Sequence, residues 1–129
     1  MSVSPSFRTF ALEQLGRTVR AVRGRAMFGG VGVYAGELFF ALIAEDTLYF
    51  KVDDSTRRDF EQHGSQPFRP YGEGGETMQY YEVPEDLLEA PEALGVWAEK
   101  AIAVARRARQ GKRRSPRAGR TDMADRRTR

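Results

Sequence analysis

The chain of 129 residues contains no cysteine and only one histidine. Without cysteine it can form no disulfide framework, no cysteine-ligated zinc or iron–sulfur site, and no thiol nucleophile. A single histidine, His63, cannot build a two-histidine metal site. Its position before Gly64 is typical of a helix C-terminus, where the helix dipole favours a cation. These absences favour a structural role for His63 over that of a catalytic base.

Long apolar runs are also missing, and the longest covers residues 38–44. A membrane-spanning helix needs about 20 apolar residues, and no apolar stretch near the N-terminus indicates a secretory signal. The length is typical of one domain, large enough to bury roughly 65% of its unfolded surface without covalent cross-links. We therefore expect a single-domain, cytoplasmic protein that makes no contact with a membrane.

The net charge of +3 conceals a division along the chain. Residues 106–129 carry a net charge of +9, and the preceding 105 residues carry −6. Within that body, residues 1–36 carry +4 and residues 37–105 carry −10. From residue 112 onward, Met123 is the only large apolar side chain, too little to offset the entropy of ordering the segment. The pattern predicts a domain over residues 1–108 and a basic, disordered tail over 109–129.

Hydrophobic periodicity predicts an α+β fold with two layers and the order α-β-β-β-α-β-β-α. The three central strands are joined by short connections, which predicts a five-stranded and mainly antiparallel sheet. Ser4 is the predicted cap of the first helix, and Pro5 suits its first position. The predicted elements are a helix over 5–22, strands near 31–34 and over 37–43 and 48–52, a helix over 53–63, strands over 68–71 and 78–83, a helical turn over 85–88 and a helix from 91 to 111.

A glycine-rich segment, Gly30-Val-Gly32-Val-Tyr-Ala35-Gly36, approaches a dinucleotide-binding fingerprint. It departs from that pattern because Ala35 stands in the place of the third glycine. A phosphate-binding loop also follows a strand and opens a helix, whereas here a helix precedes and a strand follows. A turn between strands is the favoured interpretation, with a phosphate site as the weaker alternative.

The basic segment is the one nucleic-acid signal in the chain, because residues 106–114 contain six basic residues in nine positions. About six phosphate contacts would give a slope near −5 of log affinity against log salt. No aromatic or base-reading element accompanies the segment, so such binding would be weak and nonspecific. Docking of the tail on the acidic domain is an equally supported alternative. The candidate nucleic-acid contacts are Arg106, Arg107, Arg109, Lys112, Arg113, Arg114 and Arg117.

From Arg25-Ala-Met-Phe-Gly-Gly30 onward the sequence resembles the N-terminal domain of the TfoX/Sxy family of competence regulators. The likeness continues through Leu48-Tyr-Phe-Lys-Val-Asp53 and Tyr80-Tyr-Glu-Val-Pro84, and covers about residues 7–108. The resemblance implies a fold like that of secretion chaperones, no enzymatic activity and no cofactor. Full-length members add a helical C-terminal domain and act as positive regulators of DNA-uptake genes. Here a basic tail stands in its place, which predicts a stand-alone member.

Five residues match the family signature: Arg25, Met27, Phe28, Gly29 and Gly30. We expect them to form a partner-binding element, in which the apolar pair anchors and the glycines permit a turn. The first hypothesis is a non-enzymatic regulatory or adaptor module that acts through protein–protein contacts in transcription regulation. One alternative is a small-molecule-binding protein or an enzyme that uses the loop of residues 29–36. Another is a homodimeric, chaperone-like scaffold.

Overall fold

A computed structural model gives the structure of the protein and describes residues 3–27, 29–69 and 79–114, with side chains as far as residue 111. The predicted α+β class with a five-stranded antiparallel sheet is confirmed. Among the described residues, no helix has the length and apolar composition that a bilayer span requires. The elements in chain order are α1 Pro5–Gly16, β1 Val22–Met27, β2 Gly30–Ala35, β3 Leu38–Ala44, β4 Thr47–Lys51, α2 Arg57–Gln62, β5 Tyr80–Glu82, α3 Glu85–Leu88 and α4 Pro91–Arg114.

The first helix begins as predicted and ends earlier than predicted. The Ser4 hydroxyl accepts a hydrogen bond from the Phe7 backbone N–H at 3.2 Å, so Ser4 caps the helix. The helix ends at Gly16, and Ala21 then takes a positive φ of 57° that redirects the chain into β1. The prediction of a helix over 5–22 is therefore wrong beyond residue 16. Val19 and Val22 extend the apolar spacing of the helix, but they belong to the connection and to the strand.

The sheet has the order β1-β2-β3-β4-β5, and every neighbouring pair is antiparallel. The strand β3 lies in the middle, in agreement with its apolar residues on both faces. A bulge near Val33 leaves Phe40 without a partner in the register, and Phe40 and Ala41 are both completely buried. The helices α1 and α4 cover one face of the sheet, which we call the inner face. The largest fully buried side chains are Leu15, Val33, Phe40, Ile43, Leu48, Phe50, Val52, Phe60 and Leu94.

The strand predicted over 68–71 is reduced to a short pairing on the far side of β5. An isolated bridge joins Pro67 to Tyr81, the Phe68 N–H donates to the Tyr80 carbonyl at 2.8 Å, and the Glu82 N–H donates to the Gln66 carbonyl at 2.9 Å. Because β1 takes the other edge, the sheet still contains five full strands. The rest of that predicted strand lies outside the described residues.

The last helix continues through Gly111 to Arg114, although its predicted end was Gly111. One glycine costs a helix interior about 1 kcal/mol, which the surrounding helix-favouring arginines and lysine offset in part. The predicted domain boundary at residue 108 therefore falls inside α4. The predicted disorder of the tail beyond residue 114 lies outside the described residues.

The turn between β3 and β4 holds two non-glycine residues with positive φ, Glu45 at 51° and Asp46 at 57°. A two-residue turn of this kind favours Asn-Gly because an L side chain in this region costs about 1–2 kcal/mol. At Asp46 a hydrogen bond offsets part of that cost, because the Asp46 carboxylate accepts from the Ser4 backbone N–H at 2.7 Å. No side-chain hydrogen bond is found for Glu45 among the described residues.

Replacing Glu45 with glycine should therefore stabilise the protein. We expect the free energy of unfolding, measured by urea denaturation, to rise by about 0.5–1 kcal/mol once the greater chain entropy of glycine is counted. The control is Glu99→Gly on the exposed face of α4, which should lower it by about 1 kcal/mol. A loss of stability in both variants would show that the turn stores no strain at Glu45.

Candidate functional site

The signature residues form the β1–β2 hairpin at one edge of the sheet. Arg25 and Met27 lie on β1, Gly29 lies in the turn with a φ of 80°, and Gly30 is the first residue of β2. Phe28 lies outside the described residues. The hairpin register pairs Met27 with Gly30 across the turn. The structure therefore brings together the four described members of the predicted partner-binding element.

The glycines of this segment permit close approaches as well as a turn. A Cβ on Gly30 would lie 2.6 Å from the Ile43 carbonyl oxygen of β3. A Cβ on Gly32 would lie 2.6 Å from the Met27 methyl carbon, so Gly32 provides the space that Met27 occupies. Gly32 was not among the predicted site residues, although a glycine inside a strand pattern is a known sign of such an approach.

The supposed loop of residues 29–36 is in fact a strand between two turns. Residues 30–35 pair with β1 on one side and with β3 on the other. Strand pairing uses their backbone N–H groups, so they do not form a phosphate-binding loop at a helix N-terminus. The phosphate-site alternative is therefore wrong in its geometry, and the interpretation as a turn holds at Gly29. The small-molecule alternative loses the loop on which it was based.

The face of the sheet opposite α1 and α4, which we call the outer face, is packed with aromatic side chains. Ring centroids lie 5.1 Å apart for Tyr34 and Phe39, 5.9 Å for Phe39 and Tyr80, and 4.8 Å for Tyr49 and Phe68. Burial, followed by the proximity of Tyr34, raises the pKa of Tyr80 to about 12. Tyr80 therefore stays protonated at neutral pH and serves as a packing residue.

The inner face holds the second tyrosine of the Tyr80-Tyr81 pair. The Tyr81 hydroxyl donates to the Glu61 carboxylate at 2.8 Å. Desolvation and this hydrogen bond both raise the pKa of Tyr81. His63 lies nearby with its ring edge-on to Trp97, at 5.2 Å between centroids. Across the described ranges there is no group of three or more His, Asp or Glu side chains arranged to hold a metal ion.

The two arginines of β1 differ in what they contact. The Arg23 guanidinium donates to the Gly36 carbonyl at 3.3 Å and lies 4.9 Å from the centre of the Tyr34 ring. The Arg25 side chain is exposed, and in the part of the chain that the structure describes its guanidinium has neither a hydrogen bond nor an ion pair. The signature arginine is therefore accessible, and it does not pair with a described acid of its own domain.

The described part of the basic segment is held partly against acidic side chains of the domain. The Arg107 guanidinium donates to the Asp53 carboxylate at 2.8 and 3.3 Å, and Arg109 donates to Glu37 at 3.2 Å. Arg106 is exposed and has no polar partner among the described residues. Lys112, Arg113 and Arg114 lie on the helix, with side chains outside the description, and Arg117 lies outside it altogether. These contacts support the docking alternative for Arg107 and Arg109.

Asp53 connects the end of β4 to the start of α2 and to the C-terminal half of α4. Its carboxylate accepts hydrogen bonds from the Ser55 backbone N–H at 3.0 Å and from the Ser55 hydroxyl at 2.6 Å. Desolvation alone would raise the pKa of Asp53, but the hydrogen bonds from Ser55 and Arg107 lower it to about 2. Asp53 thus remains charged at neutral pH, although partial exposure limits the stability that this ion pair supplies. Glu37 and Asp53 lie far from these arginines in sequence, so no local pattern identified them.

Comparison with known proteins supports the resemblance. The family model described as the TfoX N-terminal domain matches residues 13–105 of the chain. The match contains the signature hairpin, the whole sheet, and α4 as far as its last buried residue, Ala105. No curated protein matches the chain.

Substitutions at the two close-approach glycines should differ in their cost. Gly30→Ala places a methyl group against the backbone of β3, and we expect it to lower the free energy of unfolding by about 2–3 kcal/mol. Gly32→Ala meets no backbone atom but the flexible end of Met27 at 2.6 Å and the edge of the Phe39 ring at 3.3 Å, and it should cost about 1 kcal/mol. Urea denaturation of both variants measures the difference.

The matched control is Gly16→Ala at the end of α1, where a Cβ meets nothing within 4 Å. Because alanine favours a helix over glycine, this variant should be unchanged or up to about 1 kcal/mol more stable. An equal cost at Gly30 and Gly32 would contradict the assigned backbone contact.

Proposed function

Since the chain belongs to the TfoX N-terminal domain family, we propose that it is a non-enzymatic regulatory or adaptor module that acts through protein contacts. The observation that carries this proposal is the position of the signature hairpin at the sheet edge, with Arg25 accessible. Glycines at positions 29, 30 and 32 give this hairpin its shape, and Met27 occupies the space above Gly32. The family signature thus defines a surface element.

The contacts of the titratable side chains support a non-enzymatic role. Lys100 pairs with Asp59 at 3.1 Å, and Arg57 pairs with Asp54 at 2.7 Å. Asp53 organises the start of α2, and Glu61 accepts from Tyr81. These described groups form ion pairs and hydrogen bonds that stabilise the fold. Their structural roles favour protein recognition by the hairpin over catalysis as the function. Transcription regulation, the role that the resemblance implies, is the process in which we place it.

Affinity capture from a cell extract tests this role of the hairpin. We expect the intact chain to retain specific proteins, and Arg25→Glu to lose them because the accessible guanidinium is replaced by a carboxylate. The control is Arg58→Glu, an exposed arginine on α2 without a polar partner among the described residues. The captured proteins should persist after nuclease treatment. An identical set of proteins on all three baits, or a set that nuclease removes, would contradict the proposal.

A second candidate function, weak and nonspecific nucleic-acid binding, is favoured by the continuation of α4. This helix extends nine residues past Ala105, through a stretch that contains six basic residues. A dense row of cations binds phosphates with release of counterions, whatever the base sequence. The ion pairs of Arg107 with Asp53 and of Arg109 with Glu37 compete with such binding.

A gel-retardation assay with a duplex DNA at increasing salt measures this second function. We expect a slope near −5 of log affinity against log salt for about six phosphate contacts. The double variant Glu37→Gln with Asp53→Asn should bind more tightly, because it frees two guanidinium groups from internal competition. Arg106→Gln should reduce the magnitude of the slope by about 0.9, whereas Arg58→Gln should leave it unchanged. No binding at low salt would overturn the proposal of nucleic-acid binding.

A further inference from the structure

The two edges of the sheet are covered differently. On the far side of β5, residues 66–68 form backbone hydrogen bonds with Tyr80 and Glu82, so the chain itself covers that edge. The strand β1 pairs with β2 on one side, and on its other side the described residues provide no strand. Within the described ranges, the one side-chain hydrogen bond to the backbone of β1 on that side is a long one, from Arg8 Nη2 to the Gly24 carbonyl at 3.4 Å.

Two hydrogen bonds show which residues of β1 point their backbone N–H and C=O groups away from β2. The Ala21 carbonyl accepts from the Gly36 N–H at 3.0 Å, so the backbone of residue 21 faces β2. Backbone direction alternates along a strand, and the N–H and C=O of one residue point to the same side. Residues 23, 25 and 27 therefore face β2, whereas residues 22, 24 and 26 face the open edge. The contact of Arg8 with the Gly24 carbonyl agrees with this assignment.

Positive charge is the main protection of this edge. Proteins shield sheet edges with short strands, prolines, bulges or charges. The six residues of β1 include no proline, and the bulge of this sheet lies between β2 and β3. Arg23 and Arg25 are both exposed and, being two residues apart, lie on the same face. Two copies of β1 side by side would place these arginines close to one another, which disfavours pairing of the chain with itself.

The inner side of the same edge carries a partly exposed apolar side chain, that of Leu12 on α1. Gly24 has no Cβ, and the methyl carbon of Leu12 on α1 lies 3.1 Å from the place where one would be. Leu12 is half-buried, so part of its surface remains open. A strand beside β1 would present one set of side chains to Leu12 and the alternate set to the two arginines.

From this charge and this alternation we infer that β1 binds, by strand addition, an extended partner segment in which acidic and apolar residues alternate. Backbone hydrogen bonds to residues 22, 24 and 26 supply affinity, and the carboxylates opposite Arg23 and Arg25 supply specificity. The inference rests on the proposed function, because it names the partner chemistry of the same hairpin. The probe that represents this chemistry is an N-acetylated, fluorescent hexapeptide of alternating valine and glutamate.

Fluorescence anisotropy of this peptide at low ionic strength tests the charge requirement. We expect saturable binding to the full chain that weakens as salt is added. Arg25→Glu should lower the affinity by at least about tenfold, equivalent to about 1.4 kcal/mol. The matched control Arg58→Glu should bind like the unaltered chain. A second peptide with lysine in place of glutamate should bind Arg25→Glu better than it binds the unaltered chain.

Hydrogen exchange of backbone amides tests the strand geometry independently of the variants. Addition of the glutamate peptide should slow exchange at residues 24 and 26, with little further effect at 23 and 25, which already face β2. Binding without that protection would overturn the inference. So would the absence of saturable binding up to about 1 mM peptide, a Kd that corresponds to a binding free energy of about −4 kcal/mol. Dimerisation of the free protein that protects the same amides would overturn it too.

The outcomes separate this inference from the proposed function. If the peptide fails but captured proteins still depend on Arg25, the hairpin is a protein-binding element and strand addition is wrong. If neither the peptide nor any captured protein depends on Arg25, both proposals fall.

Discussion

The packing of α4 on the inner face of the sheet is the interaction on which the other features of this protein depend. Leu94, Ala98, Ala101 and Ile102 bury one side of the helix against Phe40 and the neighbouring strand residues. Each large apolar side chain buried in this way contributes about 1.5–3 kcal/mol. The same packing brings the C-terminal half of α4 near Glu37 and Asp53, which lie at the same end of the sheet. The position of the basic segment is thus a consequence of the core.

The family signature has a physical explanation in the β1–β2 hairpin. Gly29 allows the positive φ of the turn, Gly30 allows the β2 backbone to approach β3, and Met27 occupies the space left by Gly32. Only Arg25 among the described members has no contact that explains it. A residue that a family signature includes and the fold does not require is a candidate for recognition.

Local patterns predicted those parts of the fold that local chemistry controls. Ser4 caps α1 as expected, short connections join the central strands of an antiparallel sheet, and the last helix begins at Pro91 as expected. The prediction failed at β1, where Val19 and Val22 match a helical period although they follow the end of the helix. The segment around residue 22 could either extend α1 or form a hairpin with β2. The hairpin places Gly24 against Leu12 and Val31, and residue spacing alone does not reveal such contacts.

The amino-acid sequence by itself determined the class of fold, the family, and the separation of an acidic domain from a basic segment, because composition, periodicity and short motifs record these properties directly. Only the tertiary structure decided that β1 is an edge strand to which no other described strand is added, that Arg25 is exposed there, and that Arg107 and Arg109 meet Asp53 and Glu37. These partners are 54 and 72 residues apart in sequence. Chain folding brings them together through packing of the core, and no local residue pattern specifies such a distant pairing.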